Sequence, residues 1–61
     1  MNKLESDEFL IQVLFDILKN HYSDNETLEL NHKFFNFLKD KNLDERKTFL
    51  TLLDSKLNSK S

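Results

Sequence analysis

The chain is 61 residues long, has a formal net charge of −2, and contains no Gly, Pro or Cys. The length limits it to one domain. The missing Cys excludes disulfides and thiolate metal sites, and the missing Gly excludes a glycine-rich phosphate loop.

A domain this small buries only about 60% of the surface its unfolded chain exposes. Regular helix packing or a partner chain must supply the remaining stability. Without Gly and Pro the usual turn punctuation is gone, which argues against hairpins. Ala is absent too, so no helix face is small and the helices cannot approach closely. The heavy use of Leu, Phe, Ile, Asn and Lys is what an AT-rich bacterial, phage or plasmid genome encodes.

Charge is spread evenly. Residues 1–22 carry two Lys and four acids, residues 23–41 three Lys and four acids, and residues 42–61 four basic residues and three acids. No segment has the basic footprint of a nucleic-acid binder. The N-terminus, MNKLESDEF, is acidic before its apolar run, the reverse of a secretory signal. The longest apolar cluster, FLIQVLFDIL, is interrupted by Gln12 and Asp16 and is too short to span a membrane. A cytoplasmic protein is expected.

Helix 1 is predicted from about Asp7 to Tyr22. Ser6 is a suitable N-cap, and Asp7 and Glu8 sit where the helix dipole favours negative charge. At 100° per residue, Leu10, Leu14 and Ile17 fall on one line. Ile11, Phe15, Leu18 and Tyr22 lie beside it, and Val13 lies on the other flank. This arc covers roughly 200°, about twice the minimum stripe of a surface helix, so helix 1 needs more than one neighbour. Gln12, Asp16 and Lys19 mark the wet side, and Phe9 falls near it.

Ser23 followed by Glu26 matches a capping box and opens helix 2, with Thr27 as a competing start. Helix 2 is predicted over about 24–41. Leu30, Phe34, Phe37 and Leu38 form its centre, and Leu28 and Phe35 its edge. Asn42 then either ends helix 2 in a left-handed conformation, with Leu43 closing that end and Asp44 capping helix 3, or itself caps helix 3 with Glu45 completing a second box. Helix 3 is predicted over about 44–57, with Leu50, Leu53 and Leu57 inward, Leu43 and Phe49 at the sides, and Leu52 beyond them. Residues 58–61 are expected to fray. The fold class is all-α, a compact three-helix bundle.

Five residues are candidates for binding a partner. Phe9, Phe35, Phe37 and Leu52 are expected to form an exposed apolar patch of the kind that marks an interface. Asn31 lies among Leu28, Phe34, Phe35 and Leu38. There it is either reached by water in the first turns of helix 2, or buried against its copy or a partner to set register.

His21 and His32 lack any metal spacing, so no metal or other cofactor is expected. No catalytic constellation or small-molecule cleft is foreseen, and an enzyme is not expected. The helix 2–helix 3 connection has the length of a DNA-reading helix-turn-helix. However, Asp44 and Asp54 would face phosphates, and Arg46 points toward the apolar side.

The stretch SDNETLELNHKFF resembles the second helix of the small helical-hairpin phosphatases that act on sporulation response regulators in bacilli. That family has a Ser and an Asp at its signature positions. Asn31 and Phe35 stand there in this chain, and a third helix is foreseen, so neither fold nor activity is carried over.

The function expected is protein–protein binding by a small regulator, inhibitor or adaptor, with a homodimer or a docked protein partner covering the surplus apolar arc. The alternative is a dimeric, helix-turn-helix-like nucleic-acid-binding regulator.

Overall fold

Three polar caps divide the chain, and each stands where a helix must begin. The computed structural model describes residues 3–59. A short 3-10 turn, Lys3–Glu5, leads into α1, Asp7–Lys19, then α2, Asp24–Leu38, and α3, Leu43–Asn58. No strand occurs among the described residues. The fold is an all-α three-helix bundle, as the periodicity predicts.

Ser6 caps α1 by accepting a bond from the Phe9 N–H at 3.4 Å. Ser23 and Glu26 form the complete capping box of α2, with Ser23 Oγ accepting from Glu26 N and Glu26 Oε1 accepting from Ser23 N, both at 3.3 Å. Asn42 caps α3, its Oδ1 accepting from Glu45 N at 2.9 Å. Its backbone is extended, with φ −78° and ψ 174°, so it is not a left-handed helix end. Leu43 is accordingly the first residue of α3 rather than the closing residue of α2. Thr27 does not start α2. It lies within the helix and is fully buried.

Two helices end sooner than predicted, for the same reason. Each must release the chain so that the next cap can adopt extended backbone. Helix α1 stops at Lys19 rather than Tyr22. The N–H groups of His21 and Tyr22 both donate to the Leu18 carbonyl, and Asn20 Nδ2 donates to the Asp16 carbonyl at 3.0 Å. Helix α2 stops at Leu38 rather than Lys41, and its last carbonyls are taken by Arg46 of α3. At the far end, α3 runs through Asn58, and Ser59 Oγ donates to the Lys56 carbonyl at 2.9 Å. Of the expected tail, residues 60–61 lie outside the described residues.

The core is built from leucine. Leu10, Leu14 and Leu38 are completely buried, and Leu50 nearly so, in one cluster. Val13, Ile17, Phe34, Phe35, Phe49 and Leu53 pack on it half-buried. The buried line of α1 is Leu10, Leu14 and Leu18, so its arc is rotated from the predicted line, and Ile17 takes the flank instead. Leu30, predicted central in α2, is half-buried.

Helix α2 returns along α1, placing the Asn31 side chain beside the Ile11 carbonyl. The start of α3 then lies beside both the end of α2 and the 3-10 turn. The close backbone approaches are between α1 and α2, and between the 3-10 turn and both α1 and α3. Helix α3 stands further out, held by long side chains. The α1–α2 pair approaches closely although neither helix carries Ala or Gly, which corrects the expectation that the helices cannot approach closely. The radius of gyration is 11.1 Å, near the roughly 10.5 Å expected of a folded chain this long.

Candidate functional site

An apolar cleft runs between the end of α2 and the first half of α3. Leu38 and Phe49 form its floor, Phe37 and Leu52 its walls, and Lys41, Asp44, Glu45 and Thr48 its rim. Its volume is about 360 Å³ and it opens to solvent along its length.

Helical spacing explains the cleft. The inward line of α2 runs through Thr27, Asn31, Phe34 and Leu38, and Phe37 lies one step around from it. On α3 the inward line is Arg46, Leu50, Leu53 and Leu57. The neighbouring stripe, Glu45, Phe49, Leu52 and Lys56, is displaced by one residue and so by about 100°.

Aromatic contacts hold the walls in place. The Phe49 ring meets Phe34 edge-on at 5.4 Å between centroids and lies tilted to Phe37 at 5.5 Å. The Lys41 ammonium sits 4.9 Å from the Phe37 centroid. Such pairs stabilise by about 0.5–1.5 kcal/mol each beyond area burial. Even so, Phe37 remains 54% exposed and Leu52 63% exposed.

Thus two of the five predicted binding residues, Phe37 and Leu52, share one surface. Phe9 does not join them. It lies half-buried in a second groove, between α1 and α3, with Leu4, Val13, Ile17 and Leu50. The Lys3 ammonium stands 5.9 Å from its ring. The wet position foreseen for Phe9 is corrected by the 3-10 turn, which helical periodicity alone does not reveal. Phe35 is half-buried against the core cluster.

Asn31 is only 6% exposed, which overturns its water-accessible placement. Its Nδ2 donates to the Ile11 carbonyl at 3.0 Å, so the amide is engaged within the chain. Ile11 and Leu28, which periodicity puts beside the apolar line of helix 1 and at the edge of helix 2, are also exposed.

Arg46 is buried, as its inward direction predicts, and all five of its N–H donors find acceptors. Nε donates to the Leu38 carbonyl, and Nη1 to the carbonyls of Leu4 and Glu5. Nη2 donates to Asp7 Oδ1 and to the Lys39 carbonyl. The guanidinium is therefore withdrawn from the surface of α3.

His32 Nε2 lies 3.3 Å from Asn36 Nδ2 on the exposed side of α2. His21 is exposed just past the end of α1. No group of three or more potential metal ligands occurs among the described residues. Among the described residues no helix is long and apolar enough to cross a membrane. Comparison with protein-family models, curated proteins and solved structures finds no match.

Proposed function

We propose that this chain is a protein–protein interaction module, a small regulator, inhibitor or adaptor that docks through the cleft between α2 and α3. One observation carries this assignment. Phe37 and Leu52, on different helices, remain more than half exposed on the two walls of one apolar cleft. Burying both would remove apolar surface from water at roughly 25 cal/mol per Å². Aromatic anchors seated in a groove are the usual centres of binding energy. The charged rim would set orientation more than affinity.

The experiment is a comparison of wild type with Leu52→Ser and Phe37→Ser. Helicity is followed by circular dichroism. Self-association is followed by sedimentation equilibrium, and binding to a panel of amphipathic helical peptides by fluorescence anisotropy. Retained helicity with loss of association or peptide binding is the expected result. Binding that is indifferent to both substitutions would place the docking surface elsewhere. Salt dependence is the second readout. An apolar cleft loses little affinity as salt rises, whereas phosphate contacts lose it steeply.

A further inference from the structure

We infer that the occupant of the cleft is a second copy of this chain, seated so that the two α3 helices run antiparallel about a two-fold axis. The inference rests on the docking surface proposed above and names its partner. It is carried by the order of side chains on the outer stripe of α3. Glu45, Phe49, Leu52 and Lys56 are spaced four, three and four residues apart, which is the seam of a helix pair. The stripe is acidic at its start, apolar in its middle and basic at its end.

An antiparallel second copy reads the same stripe backwards. When Glu45 faces Lys56 of the second copy, Phe49 faces Leu52, and the two reciprocal pairs follow from the two-fold axis. Both charge pairs are attractive and both apolar pairs coincide in that single register. A parallel pairing would instead set Glu45 against Glu45 and Lys56 against Lys56. Antiparallel α3 helices also oppose their dipoles favourably.

Among the described residues, neither Glu45 nor Lys56 forms an ion pair within its own chain. Leu52 of each copy then enters the cleft of the other, between Phe37 and Phe49. A standard interface takes about 800 Å² from each partner. That is a sizeable share of the 4518 Å² surface of this chain. Phe37 and Lys41 therefore have to join the stripe in the interface.

Sedimentation equilibrium of the full chain, from the micromolar to the millimolar range, tests this with charge-reversed variants. Glu45→Lys alone and Lys56→Glu alone each turn both attractive pairs into repulsive ones. Each is expected to weaken self-association by roughly tenfold to a hundredfold. An equimolar mixture of the two variants recreates both attractive pairs and is expected to associate as wild type does. Glu45→Lys also removes the net charge of −2, so weaker association in that variant cannot come from general repulsion. Leu52→Ser, at an exposed position, is expected to leave helicity unchanged and to abolish the dimer.

A monomeric wild type across the whole range overturns the second copy as occupant and leaves the cleft to a different protein. A dimer that survives Leu52→Ser overturns the cleft itself, as it would if the dimer used the exposed Ile11 or Leu28 instead. A dimer lost in Leu52→Ser but indifferent to the charge reversals overturns the antiparallel register.

Discussion

Arg46 donates through Nη1 to the carbonyl of Leu4, 42 residues earlier, at 2.9 Å. The same guanidinium reaches the carbonyls of Leu38 and Lys39 at the end of α2 and the carboxylate of Asp7 at the start of α1. One side chain thus joins the 3-10 turn and all three helices. It also supplies the helix-end satisfaction that a chain without Gly has to find by another route.

Removing Arg46 should therefore be severe. Arg46→Ala strips donors from several carbonyls and is expected to cost about 3 kcal/mol. A domain of this length has roughly 3–9 kcal/mol of stability in total, so the variant should be largely unfolded or close to it. Lys cannot reproduce the planar fork, and Arg46→Lys should recover only part of the loss. Asp7→Asn should cost less than about 1 kcal/mol, because the carboxylate is 61% exposed and the pair is screened on that side. Urea denaturation of the three variants orders them. Equal losses at Asp7 and Arg46 would mean that the ion pair, rather than the carbonyl contacts, carries the stability.

Asn31 should behave as a buried group with one specific bond. Asn31→Asp replaces the Nδ2 donor with an acceptor facing the Ile11 carbonyl and is expected to destabilise by about 1–3 kcal/mol at neutral pH. Burial raises the folded-state pKa of the introduced carboxyl above its unfolded value. The deficit should therefore be full above the folded pKa and shrink as pH falls through it. Asn31→Leu removes the polar group altogether and should be close to neutral, since the Ile11 carbonyl lies within α1. Thermal melts at neutral and acidic pH check both. No deficit in Asn31→Asp at neutral pH would place the side chain in water.

Thr27 carries the opposite imbalance. It is fully buried, and its Oγ1 has no hydrogen-bond partner. Thr27→Val keeps the shape and removes the hydroxyl, so it should stabilise by about 1 kcal/mol. Chemical denaturation gives the sign directly. A loss of stability would show that the hydroxyl is bonded in solution, for which the nearest means is rotation toward a carbonyl of the preceding turn.

Phe9 and Leu52, alike in sequence as edge residues, should separate on mutation. Leu52→Ser should change stability by less than about 0.5 kcal/mol and act on association. Phe9→Ser removes a ring packed in the α1–α3 groove and should cost about 1–3 kcal/mol. Helicity and urea midpoints of the two variants, measured below the concentration at which any association occurs, decide the matter. Similar losses would place Leu52 in the core.

Much of this architecture is local and could be read from residue order. The Ser23–Glu26 capping box forms as spacing dictates, because its two bonds lie within one helical turn. The inward direction of Arg46 follows from its place on the line of Leu50, Leu53 and Leu57. The candidate surface was only half legible. Residue order points to Leu52 and Phe37, but together with Phe9, Phe35 and Asn31, which lie elsewhere. Angular position on one helix says how far a residue is from that helix's own apolar centre. It does not say which neighbour covers the flank.

Residue order by itself determined three helices and the caps at Ser6 and Ser23, because those depend on contacts within a few residues. Tertiary structure alone decided the rest. The early ends of α1 and α2 depend on where the next cap must stand. The burial of Phe9 depends on a 3-10 turn folding over α1, and the engagement of Asn31 on the approach of a carbonyl from another helix. The open cleft at Phe37 and Leu52 exists because α3 makes its close backbone approach to the 3-10 turn rather than along α2. That placement is a property of all three helices together and of none alone.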